Sequence, residues 1–110
     1  MMRTALAGAI LIVGFAAHAS DTRTFHVVGA GAGACGTWTA DRRTPDGVGS
    51  HLDGQWVLGF LSAGGYFAGI DPLRNLDGQA VWAWMDNYCR TNPLVRIIDA
   101  AEAFTKEPPR

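Results

Sequence analysis

The sequence has 110 residues, of which 48% are hydrophobic and 17% are charged, and its formal net charge is −1. This length fits one domain, and the apolar content excludes an intrinsically disordered chain. Because no excess of positive charge is present to neutralise phosphates, the composition argues against a nucleic-acid partner.

Residues 1–19 have the three-part pattern of a secretory signal peptide. Arg3 precedes an apolar run over residues 4–15, and Ala-His-Ala at 17–19 is a small-x-small cleavage site. The apolar run is shorter than the roughly 20 residues that span a membrane. An uncleaved anchor or a buried helix is the alternative interpretation. We predict an exported protein without a membrane span, located in the periplasm and beginning at Ser20.

The two cysteines, Cys35 and Cys89, both follow the predicted cleavage site. An even number of cysteines in an oxidising compartment indicates a disulfide bond. The alternatives are a catalytic thiol or a zinc site completed by His26 and His51, but the paired close spacings of zinc sites are missing. We therefore predict a structural Cys35–Cys89 disulfide and no metal ion or cofactor.

Residues 20–34 are predicted to form a flexible, glycine-rich arm. Gly29, Gly31 and Gly33 alternate with alanine, which differs from the G-x-G-x-x-G pattern of dinucleotide-binding loops. Further along the chain, the pair Arg42-Arg43 has no third basic residue nearby. The pattern favours a solvated surface over an anion site at this pair.

The first helix is predicted over residues 50–64. Ser50 and Asp53 have capping-box spacing, and Gly64-Gly65 is expected to end the helix. Gly59 lies inside the pattern and suggests close approach by another element. Apolar residues follow at helical spacing, at Leu52, Trp56, Phe60 and Ala63.

Two more helices are predicted over residues 78–91 and 93–106. Asp77 is the expected N-cap of the first, and Asn92 that of the second, with Pro93 at its first position. The helical domain then covers residues 35–106, and residues 107–110 form a C-terminal tail. The predicted core is Trp56, Phe60, Val81, Met85, Ile97 and Ile98.

This layout resembles the HdeA-type superfamily of small periplasmic helical proteins. The similarity consists of Cys35 and Trp38 before an apolar helix, Tyr88-Cys89 at the end of the next helix, and Asn92-Pro93-Leu94 before the last one. The resemblance implies a small all-α bundle of about three helices stapled by one disulfide. The superfamily includes acid-stress chaperones and immunity proteins that neutralise secreted peptidoglycan amidases.

No spacing of histidines, carboxylates or nucleophiles indicates a catalytic centre, so we predict no catalytic residues and no enzyme activity. The aromatic content favours a protein that binds another protein of the cell envelope, in an immunity- or inhibitor-like role. Trp38 is the candidate contact with such a partner. The alternatives are an acid-stress chaperone of the HdeA type and a small secreted hydrolase.

Overall fold

A computed structural model of the chain describes Gly8 and residues 24–109. Apart from Gly8, the predicted signal peptide therefore lies outside the described residues. Within them the fold is helical and contains no β-strand, which confirms the all-α class. The number of helices is four rather than about three: α1 (Cys35–Asp41), α2 (Val48–Ala68), α3 (Gly78–Thr91) and α4 (Ile97–Lys106).

The predicted Cys35–Cys89 disulfide is confirmed and joins α1 to α3. The extra helix, α1, has only seven residues, too few to show a clear helical period in the sequence. In the part of the chain that the structure describes, no helix combines the length and hydropathy needed to cross a membrane.

Helix α3 has the predicted bounds, and its caps explain why. The Asp77 carboxylate accepts a hydrogen bond from the backbone N–H of Ala80 at 2.8 Å, as expected of an N-cap. At the other end, the backbone N–H of Asn92 donates to the carbonyl of Tyr88 at 3.0 Å. Both ends of the helix are therefore fixed by residues that are local in sequence.

Helix α2 is longer than predicted at both ends. Its N-cap is Gly47, so Ser50 lies within the helix and the predicted capping box is wrong. The helix also continues through Gly64-Gly65 and ends at Gly69, which has a left-handed φ of 67°. A helix tolerates interior glycines at about 1 kcal/mol each, and its C-cap is the glycine that adopts positive φ.

The glycine-rich part of the predicted arm packs against the helices. Residues 30–32 form a 3-10 turn, and Gly31 is buried against the Trp56 ring, where an added Cβ would clash. The Trp56 indole also donates to the carbonyl of Val28 at 3.0 Å. Gly59, in contrast, is exposed with open space around it, so the predicted close approach there is wrong.

Helix α4 begins four residues later than predicted, because the segment before it is extended and pairs with the start of α1. The backbone N–H of Cys35 donates to the carbonyl of Val95 at 2.7 Å, and the N–H of Ile97 donates to that of Gly33 at 2.8 Å. Leu94 is consequently 93% exposed. The N-cap of α4 is Arg96 rather than Asn92.

The core lies where α1 and α3 pack against α2 and α4. Four of the six predicted core residues, Val81, Met85, Ile97 and Ile98, are buried. The other two, Trp56 and Phe60, are half-buried at its edge and stack on each other with ring centres 5.5 Å apart. The largest fully buried side chains are instead Trp38 and Phe104.

Candidate functional site

Trp38, the predicted partner contact, lies in the core. Its side chain has no exposed surface, and its indole N–H donates to Oδ1 of Asp86 on α3 at 2.8 Å. Trp38 is one helical turn after Cys35, which is bonded to Cys89, so both residues face α3. Trp38 therefore holds α1 against α3 and is not accessible to a partner, so the predicted contact is wrong.

Asp86 also forms a bidentate ion pair with Arg42 at the end of α1. Nε of Arg42 lies 2.9 Å from Oδ1, and Nη2 lies 3.2 Å from Oδ2. The guanidinium also donates to Ser50 Oγ at 3.3 Å and lies 5.8 Å from the centre of the Trp82 ring. The expectation of a solvated Arg42-Arg43 pair is therefore wrong for Arg42, which is only 22% exposed.

A second polar pair, Asp41 with Asp53, joins α1 to α2. Asp53 is 5% exposed. Gly49 leaves room for the approach, because a Cβ there would lie 2.7 Å from Cγ of Asp41. Burial, the hydrogen bond with Asp41 and the charge of Asp41 together raise the pKa of Asp53 to about 6.

We expect this carboxyl pair to make the fold more stable in mild acid than at neutral pH. The folded-state pKa of Asp53 lies above the ordinary value of 3.8, so the folded protein binds more protons than the unfolded chain between these values. The free energy of unfolding therefore falls as the pH rises, by about 2 kcal/mol between pH 4 and pH 7 from this group. Urea unfolding at both pH values measures the difference.

The Asp53→Asn variant isolates this contribution, because asparagine does not titrate. At neutral pH we expect Asp53→Asn to unfold at a higher urea concentration than the wild type. Near pH 4 we expect both proteins to unfold at similar urea concentrations. The exposed Asp46 on the α1–α2 turn is the matched control, and Asp46→Asn is expected to keep the pH dependence of the wild type. Identical pH dependence of the wild type and Asp53→Asn would contradict the raised pKa of Asp53.

A small cleft between α1 and α3 lies beside the Arg42–Asp86 pair and has a volume of about 160 Å³. Guanidinium groups line it from both helices. The complete lining is Thr39, Arg42, Arg43, Asp86 and Arg90. Arg43 and Arg90 are far apart in the sequence, so no local motif could predict that the fold brings them together.

A wider, open cleft of about 410 Å³ lies at the α1–α2 turn and includes His51 and Asp46. Within the described residues the His51 imidazole forms no side-chain hydrogen bond. A histidine that acts as a general base is normally oriented by such a partner. Within the described residues, no side chain therefore orients His51 in this cleft.

The C-terminal end of α2 carries an exposed aromatic pair. Tyr66 and Phe67 are each 83% exposed and contact each other edge to face, with ring centres 4.8 Å apart. Ile70, just after the helix, is 43% exposed. Neighbouring residues on a helix point about 100° apart, so the adjacent pair of large aromatics is only a weak sequence signal for this exposed surface.

Among residues 24–109, no group of three or more potential ligand side chains is placed to hold a metal ion. Comparison of the chain with protein-family models, with characterised proteins and with solved structures finds no match.

Proposed function

We propose that this chain is an exported, periplasmic helical module that binds another protein through the aromatic end of α2. We define the aromatic end as Tyr66, Phe67 and Ile70. The disulfide is compatible with an oxidising compartment outside the cytoplasm. The exposure of Tyr66 and Phe67 is the observation that supports the proposal most strongly.

The aromatic end is exposed because α2 extends past its neighbour. Trp82 on α3 lies against Gly54 on α2, and Gly78 lies against Leu58, so the two helices are antiparallel. The first residue of α3 is thus level with residue 58 of α2, and the last turns of α2 run beyond it. Exposed aromatic side chains of this size are costly in water and typically anchor protein interfaces.

An immunity- or inhibitor-like role fits this surface better than an acid-activated chaperone. An acid-stress chaperone must expose apolar surface as the pH falls, and the raised pKa of Asp53 cannot drive such a change, because protonation of this group favours the folded state. The aromatic end is also exposed in the folded protein and requires no unfolding. The HdeA-type relationship stays a prediction.

Photo-crosslinking in the native host tests the proposal. A photoreactive phenylalanine analogue replaces Phe67 in the full-length chain, and a second, otherwise identical protein carries the analogue at Glu102, an exposed residue of α4. We expect one specific protein to be cross-linked from position 67 and not from position 102. Mass spectrometry then identifies the partner.

Two substitutions show whether the cross-link depends on the aromatic end. Tyr66→Ser is expected to reduce the cross-link from position 67 strongly, because it removes half of the aromatic pair. Leu94→Ser removes an apolar side chain that is 93% exposed elsewhere and is expected to leave the cross-link unchanged. No cross-link from position 67, or equal cross-links from positions 67 and 102, would contradict the proposal.

A further inference from the structure

The cleft between α1 and α3 is a concentration of positive charge on a chain whose net charge is −1. Arg42 and Arg43 approach it from the end of α1. Asp86 and Arg90 lie one turn apart on α3 and therefore on one face of that helix. Three guanidinium groups thus share the cleft with a single carboxylate.

The carboxylate of Asp86 does not neutralise all three arginines. Both of its oxygens are occupied by Arg42, at 2.9 Å and 3.2 Å. Arg43 has no carboxylate within ion-pair distance in the described part of the chain, and Arg90 bonds only to the uncharged side-chain oxygen of Asn87, at 2.7 Å. Two guanidinium groups on opposite walls are therefore uncompensated.

Thr39, which lines the cleft, also has a polar atom without a partner among the described residues. Thr39 Oγ1 is buried and forms no hydrogen bond to any described residue. Buried hydroxyl groups almost always have a hydrogen-bond partner. An acceptor that meets the two free guanidinium groups in the cleft would provide a partner for the Thr39 hydroxyl after a rotation of this side chain, because Oγ1 is turned away from solvent in the structure.

We propose that this cleft binds a phosphate group, held by Arg43, Arg90 and the Thr39 hydroxyl. Donors that approach from two helices suit a tetrahedral oxyanion, whose oxygens point in different directions. A planar carboxylate would be satisfied by one guanidinium alone. The volume of about 160 Å³ is sufficient for a group of this size. This site is separate from the aromatic end of α2 and does not depend on the proposed protein binding.

NMR titration of the full chain with inorganic phosphate tests the proposal. We expect saturable binding at one site, with the largest shifts at Thr39, Arg43 and Arg90. Sodium acetate and sodium chloride at matched ionic strength are expected to give no saturable shifts at these residues. Equal shifts with acetate or chloride would overturn the proposal, because they would show a general ionic effect.

Substitutions test the individual donors. Arg43→Gln and Arg90→Gln are each expected to weaken phosphate binding by about tenfold or more, since each removes a charge-assisted hydrogen bond. Thr39→Val keeps the shape of the side chain and is expected to weaken binding several-fold with an unchanged melting temperature. Arg74→Gln, on the exposed α2–α3 loop, is the matched control. Equal effects of Arg43→Gln and Arg74→Gln would overturn the assignment.

A parallel titration with glycerol 3-phosphate distinguishes the two sources of a phosphate group. Similar affinities for the ester and for inorganic phosphate would assign the cleft to a phosphate carried by a larger molecule. Binding of inorganic phosphate alone would assign it to the free ion. Failure of both ligands to saturate the site would overturn the proposal, and the cross-linking result at Phe67 would be unaffected.

Discussion

Removal of the Cys35–Cys89 disulfide is expected to lower the free energy of unfolding by about 4 kcal/mol. The bond joins residues 54 positions apart, so it greatly restricts the unfolded chain. Small domains are typically stable by about 5–15 kcal/mol in total, and this loss is a large share of that. Both sulfur atoms are buried, so no surface contact is altered at the same time.

Two measurements separate the effect of the disulfide bond from the effect of the cysteine side chains. Reduction of the wild type breaks the bond and keeps both cysteines, whereas the Cys35→Ala, Cys89→Ala double variant also removes the sulfur atoms. We expect a lower urea midpoint for both proteins relative to the oxidised wild type. An unchanged midpoint after complete reduction, checked by thiol alkylation and mass spectrometry, would refute the expectation.

Asp86→Ala is expected to lower the free energy of unfolding by about 3 kcal/mol, the second-largest effect after removal of the disulfide. The substitution removes the partner of the fully buried Trp38 indole and leaves the half-buried Arg42 guanidinium without its counter-charge. Loss of one partner from a buried ion pair costs about 3–5 kcal/mol, and we place this case at the lower end because Asp86 is 34% exposed.

A double-mutant cycle tests whether the ion pair is the cause. Arg42→Gln, Asp86→Ala and the combination of both are compared by urea unfolding at neutral pH. We expect the double variant to be less destabilised than the sum of the single variants, because the two side chains contact each other. Asp71→Ala removes an exposed partner of Arg74 and is expected to have little effect. Strict additivity at Arg42 and Asp86 would contradict the coupling.

Local signals in the sequence predict α3 fully, because both of its caps come from adjacent residues. The N-terminal start of α4 cannot be predicted in the same way. Asn92-Pro93 has the local pattern of a helix start, but residues 93–96 pair instead with the segment that enters α1. A partner from the other end of the domain overrides the local preference, and nothing in the pattern of Asn92-Pro93 reveals it.

The candidate sites cannot be predicted from local sequence patterns for a similar reason. The sequence suggests a surface position for Trp38 because α1 is too short to show which side of it faces the core. Its burial depends on Cys89 and Asp86 of α3, far along the chain. The α1–α3 cleft also combines residues from two distant segments. The exposed pair Tyr66-Phe67 has a local signal, but the double glycine before it suggests a loop.

The pairing of residues 33–36 with residues 93–97 has a consequence for the order in which the chain folds. The start of α1 acquires its backbone partners from Pro93 and Val95, and its covalent partner is Cys89. The contacts of the first helix therefore form only when a segment more than 50 residues further along the chain reaches it. Contacts this distant in sequence slow folding. The N-terminal part of the domain alone cannot complete the packing of α1, because the backbone and covalent partners of this helix lie in α3 and in the segment before α4.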